Sequence, residues 1–273
     1  MLKQHTHTPT EVGTFYNRTT DVYVQALGGN IHLGYWNDAA DHSSIETATD
    51  RLTDLVAERL APAEGHHILD IGCGHGSPAL HIAARHAVDI TGISISDYQV
   101  DTANSRPQAP NASGRVTFRL ADAMKLPFED ESFDGAYAIE SFIHMKDRKT
   151  AMAHVARALR PGARLVMADI YLEGELDGAA AEVMAETYDF FKLSLTPDCY
   201  QELAREAGLK IVDFTDISEN ARRSYDVLAA TWRAAAQDQN EETAAEWRMA
   251  ADLTERFGQI PEVRYGLLTA VRP

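Results

Sequence analysis

Short apolar runs alternate with helical stretches along the chain from residue 67 onward. The apolar runs have the length of strands, and the stretches between them repeat their apolar positions at helical spacing. The predicted strands are residues 67–71, 89–95, 116–120, 133–139 and 164–170, and the predicted helices are 79–85, 98–105 and 149–159. Because this alternation is typical of a parallel sheet with right-handed crossovers, the chain is predicted to have an α/β fold.

The pattern changes towards both ends of the chain. The elements predicted there are helices within residues 10–60, a long alanine-rich helix over 173–192, a helix that begins at Pro197, and closing strands at 210–217 and 263–271. We therefore predict an N-terminal helical cap over residues 1–60, followed by a core over residues 61–273. A helical lid is expected within this core at about residues 172–200.

Composition and charge argue against several classes of partner. The 25 basic and 41 acidic residues give a net charge of −16, so neither nucleic acid nor an anionic membrane is expected as a partner. Cys73 and Cys199 are the two cysteines, and the N-terminus lacks the apolar stretch of a secretion signal. The eleven histidines show no metal-ligand spacing. We expect a cytoplasmic protein without a bound metal.

A glycine-rich turn follows the first predicted strand of the core. Asp70, Gly72, Gly74 and Gly76 form the pattern D-x-G-x-G-x-G, which lets a ligand lie against bare main chain at the edge of a sheet. The dinucleotide fingerprint G-x-G-x-x-G would need its third glycine at Ser77. A carboxylate at this turn would repel a pyrophosphate and suits a cationic ligand. The turn therefore favours a sulfonium nucleoside, although it can also be a plain strand-to-helix connection.

Polar residues follow the next two predicted strands. Ser94 stands where a dinucleotide site places an acid for the ribose hydroxyls, which disfavours NAD. Ser94, Ser96 or Gln99 can supply hydrogen bonds instead. Asp122 follows the third strand, where it can bind the amino group of a base or cap the local turn. Because parallel strands end at one edge, these side chains are expected to surround one ligand.

The chain from residue 10 to its end resembles the class I S-adenosylmethionine-dependent methyltransferases. Within them it is most similar to the small-molecule methyltransferases of bacterial secondary metabolism, such as the sugar O-methyltransferase of rebeccamycin biosynthesis. The segments that carry the resemblance are residues 30–36, 69–74, 92–96 with Gln99, 122–128, 140–144 and 159–162. Together they are specific for the cofactor class and much less so for the acceptor.

The resemblance implies a Rossmann-like, seven-stranded and mostly parallel sheet, with helices on both faces and an antiparallel last strand. It implies S-adenosyl-L-methionine as the cofactor and a small-molecule acceptor as the partner. The positions that match the cofactor contacts of the family are Tyr16, Tyr35, Trp36, Asp70, Gly72, Cys73, Gly74, Ser94, Ile95, Gln99, Asp122, Ala123, Ile139 and Glu140. Tyr16 can also be a core aromatic residue of its helix, and both interpretations stay open.

Two residues are candidates for the chemistry of methyl transfer. The donor is already activated, so the protein mainly aligns the reactants and removes the proton of the nucleophile. His144 follows the fourth predicted strand and is the candidate general base, and Asp169 at the tip of the fifth can orient its imidazole. Both side chains can instead satisfy local backbone groups. Ile143 stands where the sugar enzyme has a second histidine, so one base is expected to suffice, or none is needed.

Aromatic residues near the fifth strand are candidates for acceptor binding. They are Phe142, Tyr171, Phe190 and Phe191, together with Leu193, and they suggest a bulky, partly apolar acceptor. The same residues can be plain core. The N-terminal helices are expected to close over the site and exclude water.

The favoured function is methyl transfer to a hydroxyl of a natural product or its sugar, with His144 as the general base. The main alternative is methylation of carbon or nitrogen on a natural-product or isoprenoid acceptor, which would use the same cofactor motifs. A nucleoside-binding protein without chemistry is a third interpretation. An NAD dehydrogenase is a fourth, disfavoured by Ser77 and Ser94. The oligomeric state is open, with a homo-oligomer as one expectation.

Overall fold

The structure is a computed structural model that describes residues 8–108, 114–187, 196–238 and 240–273, and in these ranges all side chains except those of residues 185–187 and 238. Its strands form one seven-stranded sheet in the order β3-β2-β1-β4-β5-β7-β6. The strands are β1 His67–Ile71, β2 Asp89–Ser94, β3 Val116–Leu120, β4 Phe133–Ile139, β5 Leu159–Leu172, β6 Lys210–Asp216 and β7 Val263–Val271. Strands β1 to β5 are parallel, and β7 is antiparallel to both β5 and β6. The predicted Rossmann-like fold with an antiparallel last strand is confirmed.

Helices cover both faces and one edge of this sheet. Those of the described ranges are α1 Pro9–Ala26, α2 Ile45–Leu60, α3 Ser77–Arg85, α4 Asp97–Ser105, α5 Arg148–Ala158, α6 Gly178–Thr187, α7 Pro197–Glu206, α8 Ser218–Ala221, α9 Arg223–Ala235 and α10 Glu241–Gly258. None of these helices combines the length and the apolar character that a bilayer crossing requires.

Two apolar layers lie on opposite faces of the sheet, because successive strand residues point to opposite sides. On β5, Val166 and Ile170 face one layer and Leu165 and Met167 face the other. The first layer packs against α2, α3 and α10, and the second packs against α5 and α7. The sheet is therefore buried on both faces, and its strand ends are left to form a site.

The two helices before the core have different positions. Helix α2 belongs to the first apolar layer, where Leu52 and Val56 are fully buried. Helix α1 lies across the end of β2, so closely that a Cβ on Gly13 would come within 2.7 Å of the Ile95 carbonyl oxygen. A hydrogen bond from Ser96 Oγ to Asn17 Oδ1 also joins the two elements. Of the helices α1 and α2, α1 is the one that covers the sheet edge. The helical cap predicted over residues 1–60 stays a prediction.

The helix after β5 begins later than its sequence pattern indicates. Strand β5 continues to Leu172, and the Glu173 N–H then donates to the Glu262 carbonyl. Asp177 accepts a hydrogen bond from the Ala180 N–H, so the helix begins at Gly178 and the predicted start at residue 173 is wrong. Residues 188–195 lie outside the described residues, and the lid at about residues 172–200 stays a prediction.

Candidate active site

The chain leaves β1 through the glycine turn predicted from the sequence. Gly72 and Gly74 have φ values of +80° and +53°, which are left-handed conformations that favour glycine. A Cβ on Gly72 would lie 2.3 Å from the Ser141 Cβ, and one on Gly74 would lie 2.3 Å from the Ile31 Cδ1. The turn is therefore pressed between the tip of β4 and the segment after α1, and only bare main chain fits there.

The sheet order reverses between β1 and β4, and the crevice at such a point is where ligands bind in this class of fold. An open cavity of about 820 Å³ lies there, which we call the sheet-edge cavity. The predicted site residues that line it are Tyr16, Gly72, Gly74, Ser94, Ile95, Gln99, Asp122, Ala123, Ile139, Glu140 and His144. Val12, Ile31, Ser141 and Lys146 also line it, although the sequence did not mark them.

Four predicted cofactor residues are not on this wall. Trp36 is buried under the Arg223 guanidinium and donates from Nε1 to the Ser43 carbonyl, and Tyr35 is half-buried against the first apolar layer. Asp70 and Cys73 are buried beneath the turn. Burial raises the pKa of Asp70 to about 7. Asp70 and Cys73 therefore support the turn from behind, and none of the four residues lines the cavity.

Polar side chains at the tip of β2 are held in place by α1. Ser94 Oγ donates to Gln99 Oε1 at 2.7 Å, and Gln99 Nε2 donates to Thr20 Oγ1 at 3.0 Å. At the tip of β3, Asp122 accepts from the Met124 N–H at 2.8 Å, so it caps its turn and also lines the cavity. The hydrogen-bonding groups of the predicted nucleoside site are thus oriented before any ligand binds.

A second cavity of about 1100 Å³ opens beside the first, between the sheet edge and helices α1, α9 and α10. We call it the helix cavity. Its wall is largely aromatic and aliphatic, and its aromatic residues are Phe15, Tyr16, Tyr23, Tyr225, Trp232 and Phe257. The residues that line both cavities are Tyr16, Ile31, Glu140 and His144. These four residues form the junction between a nucleoside-sized site and an apolar chamber.

Two of the predicted acceptor residues, Phe142 and Tyr171, lie away from both cavities. Phe142 is fully buried in the second apolar layer, and Tyr171 in the same layer packs its ring edge-on against Phe214. Phe190, Phe191 and Leu193 lie outside the described residues. The sequence showed a helical stretch with Trp232, but no pattern placed it against the strand tips.

His144 ends a single 3₁₀ turn, Phe142–His144, directly after β4. Its Nε2 lies 2.7 Å from the Tyr16 hydroxyl. Burial, assisted by the nearby Arg148 cation, lowers the pKa of His144 to about 3. The imidazole is therefore neutral at physiological pH.

The turn that carries His144 is clamped from two sides. Arg148 donates from Nε to the Phe142 carbonyl at 2.8 Å and from Nη2 to the Ile143 carbonyl at 2.7 Å. Asp169 accepts from the Ile143 N–H at 3.3 Å, and burial raises its pKa to about 7. The predicted Asp169–imidazole contact is not formed, because Asp169 extends from the β5 face that carries Met167. Tyr16 holds the imidazole instead.

Glu140 lies at the tip of β4 with a φ of +48°, an uncommon conformation for a residue with a side chain. Its Oε1 accepts from the Leu33 N–H at 2.7 Å and from the Tyr265 hydroxyl at 2.8 Å. Burial raises the pKa of this carboxyl to about 7. The contacts fix the carboxyl group where the two cavities meet.

The residues around the sheet-edge cavity suit an organic cation. Within the residues that the structure describes, no group of three or more histidine, cysteine, aspartate or glutamate side chains could hold a metal ion. The bare glycine main chain, the preoriented Gln99 and the carboxylates Asp122 and Glu140 fit a nucleoside that carries positive charge.

The chain is similar in sequence and in structure to known methyltransferases and to a related cyclase. Residues 69–167 match the family described as a methyltransferase domain. The O-methyltransferase cnsE of Penicillium expansum is 47% identical over 218 residues, which cover 80% of this chain and 78% of that protein. The 27-O-demethylrifamycin SV methyltransferase of Amycolatopsis mediterranei is 39% identical over 269 residues, which cover 97% of this chain and 98% of that protein. The crystal structure of the cyclase SpnF is 33% identical, with a TM-score of 0.82 over 97% of this chain and 96% of that one.

Sequence relatives, fold and site therefore agree. A glycine turn at the reversal point of a seven-stranded sheet and a nucleoside-sized cavity are what this cofactor requires, and relatives of 39–47% identity over most of their length are methyltransferases. The chain belongs to the class I S-adenosylmethionine-dependent methyltransferases of natural-product metabolism, and S-adenosyl-L-methionine is its cofactor.

Proposed function

We propose that this enzyme methylates a hydroxyl group of a natural product or its sugar, with His144 as the general base. The observation that carries the proposal is the position of the His144 imidazole. The imidazole lines both cavities and is neutral. Its Nε2 already forms a hydrogen bond with a hydroxyl group, that of Tyr16. A substrate hydroxyl that replaces the Tyr16 hydroxyl would meet the same nitrogen.

The sheet-edge cavity is the proposed cofactor site. The glycine turn would lie along the amino-acid end of the cofactor, Gln99 would face the ribose, and Asp122 with Ala123 would face the adenine. When bound, S-adenosylmethionine supplies a methyl group that passes from sulfur to the acceptor oxygen as the C–S bond breaks and the O–C bond forms. Because the donor is already activated, alignment and proton removal are the tasks of the protein.

His144 performs the proton removal in this proposal. Its Nε2 takes the proton of the acceptor hydroxyl, while the clamped 3₁₀ turn holds the ring in place. The Glu140 carboxylate lines the same two cavities as the imidazolium that forms, so it would offset part of its positive charge. Arg148 and Asp169 act as positioning residues, since they bind the backbone of the turn and not the ring.

The helix cavity is the proposed acceptor site. Its aromatic and aliphatic wall suits a partly apolar molecule. One relative is named as a 27-O-demethylrifamycin SV methyltransferase, so that compound is a candidate acceptor. Helix α1 contributes Phe15, Tyr16 and Tyr23 to this wall, so its docking would also exclude water from the junction.

The test combines an acceptor panel with one variant. Purified enzyme is incubated with labelled S-adenosylmethionine and a panel that includes 27-O-demethylrifamycin SV, and mass spectrometry locates the new methyl group. We expect an O-methyl product. His144→Ala should cut turnover about 100-fold or more and leave the dissociation constant of the cofactor unchanged. His42→Ala, at an exposed histidine away from both cavities, should keep full turnover. Full turnover in His144→Ala would contradict the proposal.

Methylation of carbon is the second candidate. Six aromatic rings and one carboxylate around the helix cavity could stabilise a cationic intermediate on an alkene acceptor. In that reaction a base would act after methyl transfer. A methyl group located on carbon in the same panel would favour this candidate over the first.

A further inference from the structure

Glu140 is a partly buried carboxylate that lacks a positive partner among the described residues. No ion pair involves it there, and both of its hydrogen-bond donors, the Leu33 N–H and the Tyr265 hydroxyl, bind the same oxygen, Oε1. The other oxygen, Oε2, has no hydrogen-bond partner within the described ranges and is accessible to solvent. A partly buried carboxylate attracts a cationic ligand more strongly than one in open water does.

The fold holds this group at the junction. Its φ of +48° is strained for a glutamate, and the contact of Oε1 with Leu33 and Tyr265 keeps the side chain from relaxing into solvent. The other ionisable residues that line the cavity are His144, which is neutral, Asp122 at the β3 tip and the exposed Lys146. At the junction itself, Glu140 is therefore the source of negative charge.

We propose that Glu140 makes the enzyme bind the positively charged sulfonium of S-adenosylmethionine in preference to the neutral thioether of S-adenosylhomocysteine. Substrate and product of the cofactor differ in one methyl group and one unit of charge. The glycine turn, Gln99 and Asp122 would contact parts of the cofactor that are the same in both molecules. A fixed carboxylate at the methyl-transfer point is the element of this site that can tell them apart by charge.

The preference follows from the strength of a charge pair in a partly buried site. An opposite charge at about 4–6 Å shifts the equilibrium between the charged and the neutral form of a group about tenfold to a thousandfold towards the charged form. The same carboxylate has no such attraction for a thioether. Its effect is therefore to retain the donor and release the demethylated product, which limits product inhibition. This inference concerns the cofactor alone and does not depend on which acceptor is methylated.

The test is isothermal titration calorimetry at pH 8 with three probes: S-adenosylmethionine, S-adenosylhomocysteine and sinefungin, whose amine replaces the sulfonium as a cation. Glu140→Gln keeps an amide oxygen for Leu33 and Tyr265 but removes the charge. We expect it to weaken binding of both cationic probes about tenfold or more. Its affinity for S-adenosylhomocysteine should stay within twofold of the wild type, which also shows that the site is intact.

Asp122→Asn is the matched control, because it removes a carboxylate from the same cavity at its other end. It should weaken all three probes by the same factor. If Glu140→Gln also weakens all three equally, or weakens none, the inference is overturned. An acceptor panel that yields no product would reject the proposed O-methylation and leave these binding ratios unaffected, so the two failures are distinguishable.

Discussion

The Tyr16 hydroxyl lies 2.7 Å from Nε2 of His144. A residue of helix α1 thus contacts the candidate base, which follows β4, at the junction of the two cavities. Burial keeps the phenol protonated by raising its pKa well above the usual value. A neutral imidazole that acts as a base through Nε2 carries its proton on Nδ1, and in this tautomer the Tyr16 O–H donates to Nε2. The base is thus oriented in the ligand-free state, but its lone pair is occupied. An acceptor hydroxyl has to replace the Tyr16 hydroxyl.

We expect Tyr16→Phe to lower the acceptor KM about fivefold, because one neutral hydrogen bond of about 1 kcal/mol no longer competes for Nε2. Initial rates with varied acceptor measure this change. Tyr98→Phe is the control, since the Tyr98 hydroxyl binds Asp21 of the same helix α1 without touching the imidazole. A higher KM in Tyr16→Phe would show that the phenol binds the acceptor directly.

Arg148→Lys should reduce kcat at least tenfold with no change in cofactor affinity. A lysine cannot reproduce the two guanidinium bonds to the Phe142 and Ile143 carbonyls that hold the His144 turn. Steady-state rates and calorimetry measure the two quantities. The matched variant is Arg157→Lys on the same helix, whose guanidinium binds the Leu126 carbonyl instead. Equal losses of kcat in both variants would mean that the clamp has no special role.

Gly72→Ala should weaken S-adenosylmethionine binding about tenfold or more. The new Cβ would meet the Ser141 Cβ, and Ser141 cannot easily yield because its Oγ donates to the Ile71 carbonyl. Gly162 has a similar φ of +84°, but a Cβ added there would have no atom within 4 Å, so Gly162→Ala isolates the backbone strain. Gly162→Ala should lose about 1–2 kcal/mol of unfolding free energy from backbone strain alone, and Gly72→Ala should lose more because of the added contact with Ser141. Normal cofactor affinity in Gly72→Ala would contradict the idea that the cofactor lies against the bare main chain of this turn.

Binding of S-adenosylmethionine should weaken as the pH falls below about 7. The carboxyl group of Glu140 has a pKa raised to about 7, so it is protonated and neutral below that value, and only its ionised form pairs with a cation. We expect the dissociation constant to rise by up to tenfold for each pH unit below 7, with a much smaller change for S-adenosylhomocysteine. Calorimetry between pH 5.5 and 8.5 measures both slopes.

The groups around Glu140 decide how this slope is interpreted. The ionisable side chains that interact with its carboxyl group are Tyr16, Tyr23, Tyr225, Tyr265 and Asp169, and His144 lines the same cavities. The tyrosines stay protonated and His144 stays neutral over this range, because their pKa values are raised and lowered away from it. Asp169 titrates in the same window but remains in Glu140→Gln. If the pH dependence of the S-adenosylmethionine dissociation constant persists fully in Glu140→Gln, it would therefore be assigned to Asp169.

Much of the cofactor site could be predicted because it is local in sequence. The turn between Asp70 and Gly76 and the tip residues Ser94 and Asp122 each follow a strand whose apolar pattern is plain. Parallel strands end at a common edge, so residues far apart in the chain could be placed together without coordinates. Tyr35 and Trp36 do not line the cavity because their segment is hydrogen-bonded to α2 and α8, contacts that no local sequence pattern indicates.

The hydrophobic pattern by itself determined the parallel part of the sheet, and the glycine turn together with the other segments that carry the family resemblance indicated the class of cofactor. The tertiary structure alone decided which side chains form the junction and the acceptor wall. The partner of His144 is a helix residue 128 positions away, and the aromatic wall comes from helices α1, α9 and α10. Helical periodicity shows which face of a helix is apolar, but the packing of distant helices determines whether that face fills a core or lines a cavity.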